Sequence, residues 1–361
     1  MNQQKIADRL SLSVSTVSRA LRNDDSILPT TRAQIFQVAS EMGYRPKTRR
    51  SRRSSATDGS LNRPMPVIGV YAHEPTEGSW SSVGSRVEAG HYMLSGISTA
   101  ASRLGMQIFF QSVNDGEIER IFGEPNKPVT RPKAQEVSGV ILLYLHKQSA
   151  VEQIMRHFPC VSLVNRYALS DLDTVSVDSD KSIREVVERL FELGHRRIGF
   201  FNGGARGPWV QDRFSSYIKA LLHFQLEFDP RIAMGVYQYE KLDKAQCTQM
   251  MCDSTRDGVT AWVCSHDVAG YHVCQSLRIA GFDVPGEVSV VGFDGITPPD
   301  DQPQLNTVVS PLQELGEAGV ERLSARINDP TMSTHTVLLK CRLLDGETVG
   351  PATSSAVAQS A

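Results

Sequence analysis

The sequence predicts a small all-α head followed by a larger α/β body with parallel sheets. Two observations support this prediction. Apolar residues recur at helical spacing over residues 2–47, whereas from Val67 onward short apolar runs alternate with helical periods. Continuous apolar strands separated by helices are typical of parallel sheets that helices cover on both faces. A linker over residues 48–65, basic at first and then rich in Ser, Gly and Pro, separates the two parts.

Three short helices are predicted in the head. Asn2 can cap the first helix, and Ser13 can cap a second helix that continues to about Arg22. Pro29 suits the first turn of a third helix, which ends at Gly43.

The body is predicted to contain at least seven strands and five helices that alternate along residues 66–345. The predicted strands are Val67–Tyr71, Ile108–Gln111, Val140–Leu145, Val161–Val164, Arg197–Phe201, Ala261–Cys264 and Val288–Phe293. The predicted helices are Met93–Leu104, Ile183–Leu193, Gln211–His223, Val268–Ile279 and Leu312–Ile327. Residues 346–361 are predicted to form a disordered tail.

Charge is distributed unevenly along the chain. The net charge of the 361 residues is −2, yet residues 1–53 carry eleven Lys and Arg against four acidic residues, or +7. The remainder therefore carries −9. A basic head on an acidic body indicates a polyanionic partner for the head alone.

The second predicted helix has the side chains of a DNA-reading helix. A helix, a tight turn and a helix that begins with small and hydroxyl residues form a helix-turn-helix, whose second helix enters the major groove. Arg19 can donate two hydrogen bonds to a guanine edge, while Ser13 and Ser18 suit phosphates. The candidate DNA contacts in this helix are Ser13, Val14, Ser15, Thr16, Ser18, Arg19 and Arg22. A three-helix module with a purely structural role is the alternative.

Other classes of function find little support in the sequence. No run of about 18 apolar residues is present and the N-terminus is polar, so we expect a cytoplasmic, nucleoid-associated protein. The six cysteines form no C-x-x-C pair. Metal binding at Cys264, His266, His272 and Cys274 matches no standard zinc pattern. We expect no cofactor and no catalytic residues, since no phosphate-binding or nucleophile motif is present.

Several motifs together resemble the lactose-repressor (LacI/GalR) family of bacterial transcription regulators. The head contributes LSVSTVSRAL, TTR and GYRP, and the body contributes GVILL, LGHRRIGF, SHDVA, VPGEVSVVGFD and TVVSPLQELG. These motifs occur in the family's order and extend over residues 2–344.

The resemblance implies a homodimer whose two heads contact the half-sites of a pseudo-palindromic operator in double-stranded DNA. It implies two Rossmann-like subdomains of the periplasmic-binding-protein type, with a small effector, often a sugar, in the cleft. Arg213 and Asp267 match effector-contacting positions of the family, and a carboxylate with a guanidinium suits neighbouring hydroxyls. Trp209 and Tyr239 could stack on a sugar ring, although ordinary rim aromatics are as common. The expected effector contacts are Arg213, Asp267, Asn165, Trp209, Tyr239, His73 and Asp294.

The linker departs from the family pattern. Family members commonly insert a leucine from the linker into the minor groove, which kinks the DNA. This chain has Arg53 at the matching position, and no leucine occurs before Leu61. We therefore expect arginines to contact phosphates or a narrow minor groove instead, namely Arg49, Arg50, Arg52 and Arg53.

The sequence thus predicts an effector-controlled DNA-binding transcription regulator, most simply a repressor. An enzyme on an α/β scaffold is one alternative, because fold alone does not exclude catalysis. A secreted sugar-binding protein is another. Neither alternative accounts for the basic head.

Overall fold

The computed structural model describes residues 3–21, 24, 26–42, 66–73, 83–114, 116–118, 137–236 and 243–353. The chain forms two compact units. The first comprises residues 1–75, 90–176 and 312–337, and the second comprises residues 76–89, 177–311 and 338–361.

The head contains three helices, α1 (Gln3–Leu10), α2 (Val14–Ala20) and α3 (Pro29–Glu41). Ser13 caps α2, since its hydroxyl accepts from the backbone N–H of Thr16 at 3.0 Å. The turn before it requires a positive φ of 52° at Ser11, a conformation that glycine adopts more readily. The head has its own apolar core, to which all three helices contribute: Ile6, Ala7, Val17, Ala20, Ile27, Ile35 and Ala39. The predicted caps at Asn2 and Gly43 lie outside the described residues.

The first unit contains a six-stranded sheet in the order β2-β1-β3-β4-β5-β11. Its strands are β1 (Val67–His73), β2 (Gln107–Val113), β3 (Val137–Leu143), β4 (Cys160–Leu163), β5 (Asp173–Val177) and β11 (Thr336–Leu339). β1 to β5 pair in parallel. The helices of this unit are α4 (Val83–Arg103), α5 (Gln148–Met155) and α10 (Leu312–Asn328). Gly96 and Gly316 let α4 and α10 pack backbone to backbone, because a Cβ on either would collide with a carbonyl oxygen of the other helix.

The second unit repeats the same strand order with β7-β6-β8-β9-β10-β12. Its strands are β6 (Ile198–Phe201), β7 (Ala233–Met234), β8 (Ala261–Cys264), β9 (Ser289–Asp294), β10 (Asn306–Val309) and β12 (Arg342–Leu344). β6 to β10 pair in parallel, and β12 pairs antiparallel with β10. The helices are α6 (Ser179–Glu192), α7 (Pro208–His223), α8 (Lys244–Arg256) and α9 (Asp267–Ile279). In each sheet the order in which the strands are added reverses once, between β1 and β3 in the first unit and between β6 and β8 in the second. Ligands of such folds bind at this switch point, beyond the carboxyl ends of the strands.

All seven predicted strands and five predicted helices are present, and most boundaries differ by a few residues at one or both ends. The largest difference is α4, which begins at Val83 rather than at Met93. Sequence reasoning did not find β5, although it is buried throughout, because its apolar residues are interrupted by polar ones. Asp173 at its start is 1% exposed and accepts hydrogen bonds from Nε of Arg322 and Nε of Arg326 at 2.8 and 2.9 Å. Paired charges thus replace the apolar run that would have signalled a strand.

The prediction of disorder from Gly346 onward is wrong for residues 346–353. Thr348 is fully buried, its hydroxyl donates to the carbonyl of Val290 at 2.7 Å, and it accepts from the backbone N–H of Asn306 at 3.0 Å. The segment therefore belongs to the second unit. Residues 354–361 lie outside the described part of the chain.

Candidate functional site

The residues predicted to contact DNA lie on the accessible side of α2. Ser13, Val14, Ser15 and Arg19 are exposed, whereas Val17 and Ala20 are buried in the head core. Thr16 and Ser18 are partly exposed. Val14 is an exposed apolar side chain, which suits contact with a thymine methyl group. Within the described part of the chain, the guanidinium of Arg19 donates one long hydrogen bond, 3.3 Å to the hydroxyl of Ser26, so it can turn towards a base edge.

Six predicted contacts fall outside the described residues, and their placement stays a prediction. They are Arg22, the linker residues Arg49, Arg50, Arg52 and Arg53, and Tyr239.

In the second unit, polar residues follow three adjacent parallel strands at the point where the order of the sheet reverses. Asn202 follows β6, Ser265 and His266 follow β8, and Asp294 ends β9. Carboxyl ends of parallel strands share one edge of a sheet, so these side chains are brought together. Here they form one connected group with Arg213 and Trp209 of α7.

Arg213 and Asp294 form the charged centre of this group. Nη2 of Arg213 donates to Oδ1 of Asp294 at 2.7 Å, and Nη1 donates to the carbonyl of Ser265 at 2.5 Å. The Arg213 side chain is 4% exposed, while that of Asp294 is 22% exposed. The buried arginine therefore holds the carboxylate in place, and part of the Asp294 carboxylate stays exposed.

The backbone of Asp294 is strained. Its φ is +118°, a region that residues with a Cβ rarely occupy. Such strain costs about 1–3 kcal/mol and is concentrated at functional sites. The strained residue is the last one of β9.

Aromatic rings surround the arginine. Its Cζ lies 3.6 Å from the centre of the Phe293 ring and 4.7 Å from the centre of the Trp209 ring. Trp209 is partly exposed, and its ring meets the His266 ring edge to face at 5.8 Å. Trp209 thus borders the group, and its stacking on a sugar ring stays a prediction.

Sequence reasoning missed His266 as a site residue and considered it only as a metal ligand. Burial, together with the nearby Arg213, lowers its pKa to about 4 in spite of the opposing effect of Asp294, so the ring is neutral at pH 7. Among the described residues, no group of three or more His, Cys, Asp or Glu is arranged to hold a metal ion. The motif SHDVA directly after β8 is the signal that could have identified this histidine.

The prediction that Asp267 contacts the effector needs correction. Asp267 is 1% exposed, and protein donors occupy both of its oxygens. Oδ2 accepts from the backbone N–H groups of Gly295 and Ile296 at 2.7 and 2.8 Å, and Oδ1 accepts from the hydroxyl of Thr307 at 2.5 Å. Burial and the neighbouring Asp294 raise its pKa to about 7. Asp267 holds the backbone that follows Asp294, which is a supporting role.

In the first unit, two predicted contacts lie at the corresponding strand ends. His73 ends β1, and its ring meets the His146 ring edge to face at 5.1 Å. Asn165 follows β4 and is 3% exposed, and its Oδ1 has no hydrogen-bond partner in the described part of the chain. A buried acceptor without a donor is costly unless a ligand or water supplies one. Tyr144 and Val164, near the ends of β3 and β4, also have positive φ, at 67° and 69°.

One cysteine lies beside the group in the second unit. Cys341 is partly exposed, whereas the other five cysteines are buried. Burial raises its pKa, while Ser182, Arg213 and Ser310 lower it and Asp294 raises it further. The thiol is therefore close enough to interact with the Arg213–Asp294 pair.

Comparison with known proteins identifies the family. Residues 4–47, which include α1 to α3, match the family described as bacterial regulatory proteins, lacI family. Residues 187–349, which include the sheet of the second unit, match the periplasmic binding protein-like domain. The chain belongs to the lacI family. Members of the lacI family are DNA-binding regulators rather than enzymes.

Relatives of this lacI-family chain resemble it along nearly its whole length. The transcriptional repressor CytR of Escherichia coli is 25% identical over 344 residues, which cover 94% of this chain and 93% of CytR. The transcriptional regulator CelR of Thermobifida fusca is 26% identical over 336 residues, covering 91% and 92%.

Solved lacI-family structures share the fold. A CelR–cellobiose complex superposes with a TM-score of 0.66 at 24% identity, covering 96% of this chain and 99% of that one. The lac repressor dimer bound to operator and an anti-inducer gives 0.61 at 19% identity, covering 97% and 99%. The described residues contain no helix long and apolar enough to cross a membrane.

Proposed function

We propose that this lacI-family regulator represses transcription as a homodimer whose α2 helices contact the half-sites of an operator, and that a polyol effector, most simply a carbohydrate, controls it. The paired Arg213 and Asp294 carry the effector half of the proposal. A carboxylate that accepts from hydroxyls, supported by a buried guanidinium and bordered by an indole face, is a typical recognition element for sugars.

Relatives and related structures support the choice of ligand class. CytR and the regulator MelR of Bacillus subtilis are named as repressors. Related structures contain cellobiose, ribose and sucrose. The proposed effector contacts in the second unit are Arg213, Asp294, Trp209 and His266, with Asp267 in a supporting role. His73 and Asn165 are the proposed contacts in the first unit.

The effector site is tested by thermal shift with cellobiose, ribose and sucrose. A ligand at a hundred times its Kd stabilises the protein by about 2.7 kcal/mol. Arg213→Ala should abolish that shift, since losing one partner of a desolvated charged contact costs about 2–5 kcal/mol. Arg256→Ala is the matched control, because this exposed arginine forms its ion pair with Asp253 on the surface of α8. An equal shift in both variants would place the site elsewhere.

The DNA half is tested by deleting residues 1–53. The shortened chain should keep its ligand response and lose operator affinity, because the deletion removes the basic head and α2. Operator selected from random DNA by the full-length chain serves as the probe in a gel-shift assay. Sequence-specific binding by the shortened chain would contradict the assignment of DNA contacts to α2.

A further inference from the structure

His266 has a hydrogen-bonding environment that fixes which of its ring nitrogens carries the proton. Its Nδ1 lies 2.9 Å from the hydroxyl of Ser265. The same hydroxyl lies 2.9 Å from the carbonyl oxygen of Asn202 and 2.9 Å from its side-chain Oδ1. One hydroxyl proton is thus shared among three neighbouring atoms, and at most one of them can receive it fully.

The orientation of the Asn202 amide is itself determined. Its Nδ2 donates to the carbonyl of Ala205 at 2.8 Å and to the carbonyl of Gly235 at 3.0 Å. Both amide protons are therefore used, and Oδ1 must be the atom that faces Ser265. Asn202 and Ser265 are 2% and 0% exposed, so bulk solvent does not reach them.

The two Asn202 oxygens can only accept, so the Ser265 hydroxyl must donate to Asn202. If it donated to His266 instead, its lone pairs would face two acceptor oxygens at hydrogen-bond distance, which is repulsive. The remaining arrangement has Nδ1–H of His266 donating to the oxygen of Ser265. Nε2 then carries a lone pair, and among the described residues it has no hydrogen-bond partner.

We propose that Asn202 and Ser265 hold His266 as the Nδ1-protonated tautomer, so that Nε2 accepts a hydrogen bond and the effector must present a donor, a hydroxyl or N–H, at this point. The inference rests on the proposed effector site. It makes His266 a specificity-determining residue and makes Ser265 and Asn202 positioning residues that act through it.

The polarity of the site follows from this assignment. Asp294 and Nε2 of His266 both accept, so the ligand has to supply at least two donors to this side of the site. Polyols with adjacent hydroxyls satisfy that requirement, whereas carboxylates and phosphates, which only accept, do not. The lowered pKa of His266 is consistent with an accepting Nε2, because a protonated ring would have no lone pair to accept with.

The tautomer is tested without any ligand by ¹⁵N NMR of the full-length chain labelled at histidine. The His266 signals are assigned by their loss in His266→Gln. We expect coupling of a proton to Nδ1 and an unprotonated shift for Nε2 between pH 6 and 8. A proton on Nε2, or titration near pH 6.5, would overturn the assignment.

The donor requirement is tested with whichever of cellobiose, ribose and sucrose stabilises the wild type, together with its monodeoxyfluoro analogues. Fluorine keeps the size of a hydroxyl but cannot donate. At the hydroxyl that faces Nε2, replacement by fluorine should weaken binding to the wild type about tenfold relative to the unmodified sugar, as expected for one hydrogen bond. His266→Gln should reduce that ratio at the same position, because an amide can rotate to present either a donor or an acceptor.

Ser265→Ala should also reduce the ratio, because the ring is then free to change tautomer. Ser289→Ala is the matched control, since this buried hydroxyl contacts His195 at 3.1 Å at the opposite end of the sheet. Equal discrimination in the wild type, His266→Gln and Ser265→Ala would overturn the inference. Lack of response of the wild type to all three sugars would contradict the proposed effector class and the donor requirement, while the NMR result would still decide the tautomer.

Discussion

Asp294 combines a ligand-facing carboxylate with a backbone conformation that few residues tolerate. Glycine at this position would relieve the strain, whereas alanine would keep it, and both would remove the carboxylate. We therefore expect Asp294→Gly to be more stable than Asp294→Ala by about 1–3 kcal/mol in urea unfolding. Both variants should lose the thermal shift with sugar. Equal stabilities would show that the positive φ of 118° is without cost here.

His266 makes the stability of the second unit depend on pH. Its pKa in the folded protein is about 4, below the ordinary value of 6.5, so the folded state resists protonation. Below pH 6.5 the unfolded chain takes up a proton that the folded protein takes up only near pH 4. The contribution of the neutral ring to the unfolding free energy is therefore complete above pH 6.5 and is lost as the pH falls towards 4, by about 1.4 kcal/mol per pH unit at most. Asp267, with its pKa raised to about 7, has the opposite trend over pH 4–7.

Comparison of the wild type with His266→Gln isolates the histidine. The difference in their unfolding free energies should be constant above pH 7 and should shift in favour of the variant between pH 6.5 and 4. Urea unfolding at several pH values provides the measurement. Parallel curves over that range would mean that His266 is protonated as easily in the folded protein as in the unfolded chain.

Among the elements, those built from continuous apolar runs could be predicted from the sequence. α2 could be predicted as well, because the Ser13 cap and the inward-facing Val17 are local signals. β5 could not, since its polar residues are buried by contacts with α10, far away in the sequence. The same limit applies to the site. Arg213 was predicted because it matches a position of the family, and so was Asp267. Only the partners of Asp267, 28 to 40 residues away, show that this carboxylate is already occupied.

The C-terminal segment 346–353 is attached to the second sheet by the hydrogen bonds of Thr348. Thr348→Val keeps the shape of the side chain but leaves the N–H of Asn306 and the carbonyl of Val290 without this partner. Two weakened buried groups should lower the unfolding free energy by about 2–3 kcal/mol. Thr336→Val, at an exposed position of β11, is the control and should change it by less than about 0.5 kcal/mol. Similar midpoints for both variants would show that the segment contributes little stability.

At the scale of the whole molecule, positive charge is concentrated in the head and linker, whereas the body is acidic, so the salt dependence of DNA binding should come from the head and linker. Each phosphate neutralised contributes about −0.9 to the slope of log affinity against log salt. Replacing Arg49, Arg50, Arg52 and Arg53 with alanine should flatten that slope by about two to four units. Base preference should survive, because the proposed base contacts lie on α2 rather than in the linker.

The measurement is a salt titration of operator binding for the wild type and the fourfold variant. A circular-permutation assay should in addition find little bending of the operator, since no leucine of the linker is at the intercalating position. An unchanged slope or a sharp central kink would show that the linker acts differently.

The exposure of Cys341, unique among the six cysteines, provides a built-in reporter of the effector site. Five thiols are shielded from reagents, so a maleimide dye should label the native protein at one position and slowly, because burial raises the pKa of that thiol. A bound sugar at Arg213 and Asp294 should slow the labelling further, and Cys341→Ser should abolish it. Dye incorporation measured against time would thus follow occupancy of the site directly, without DNA and without a modified ligand.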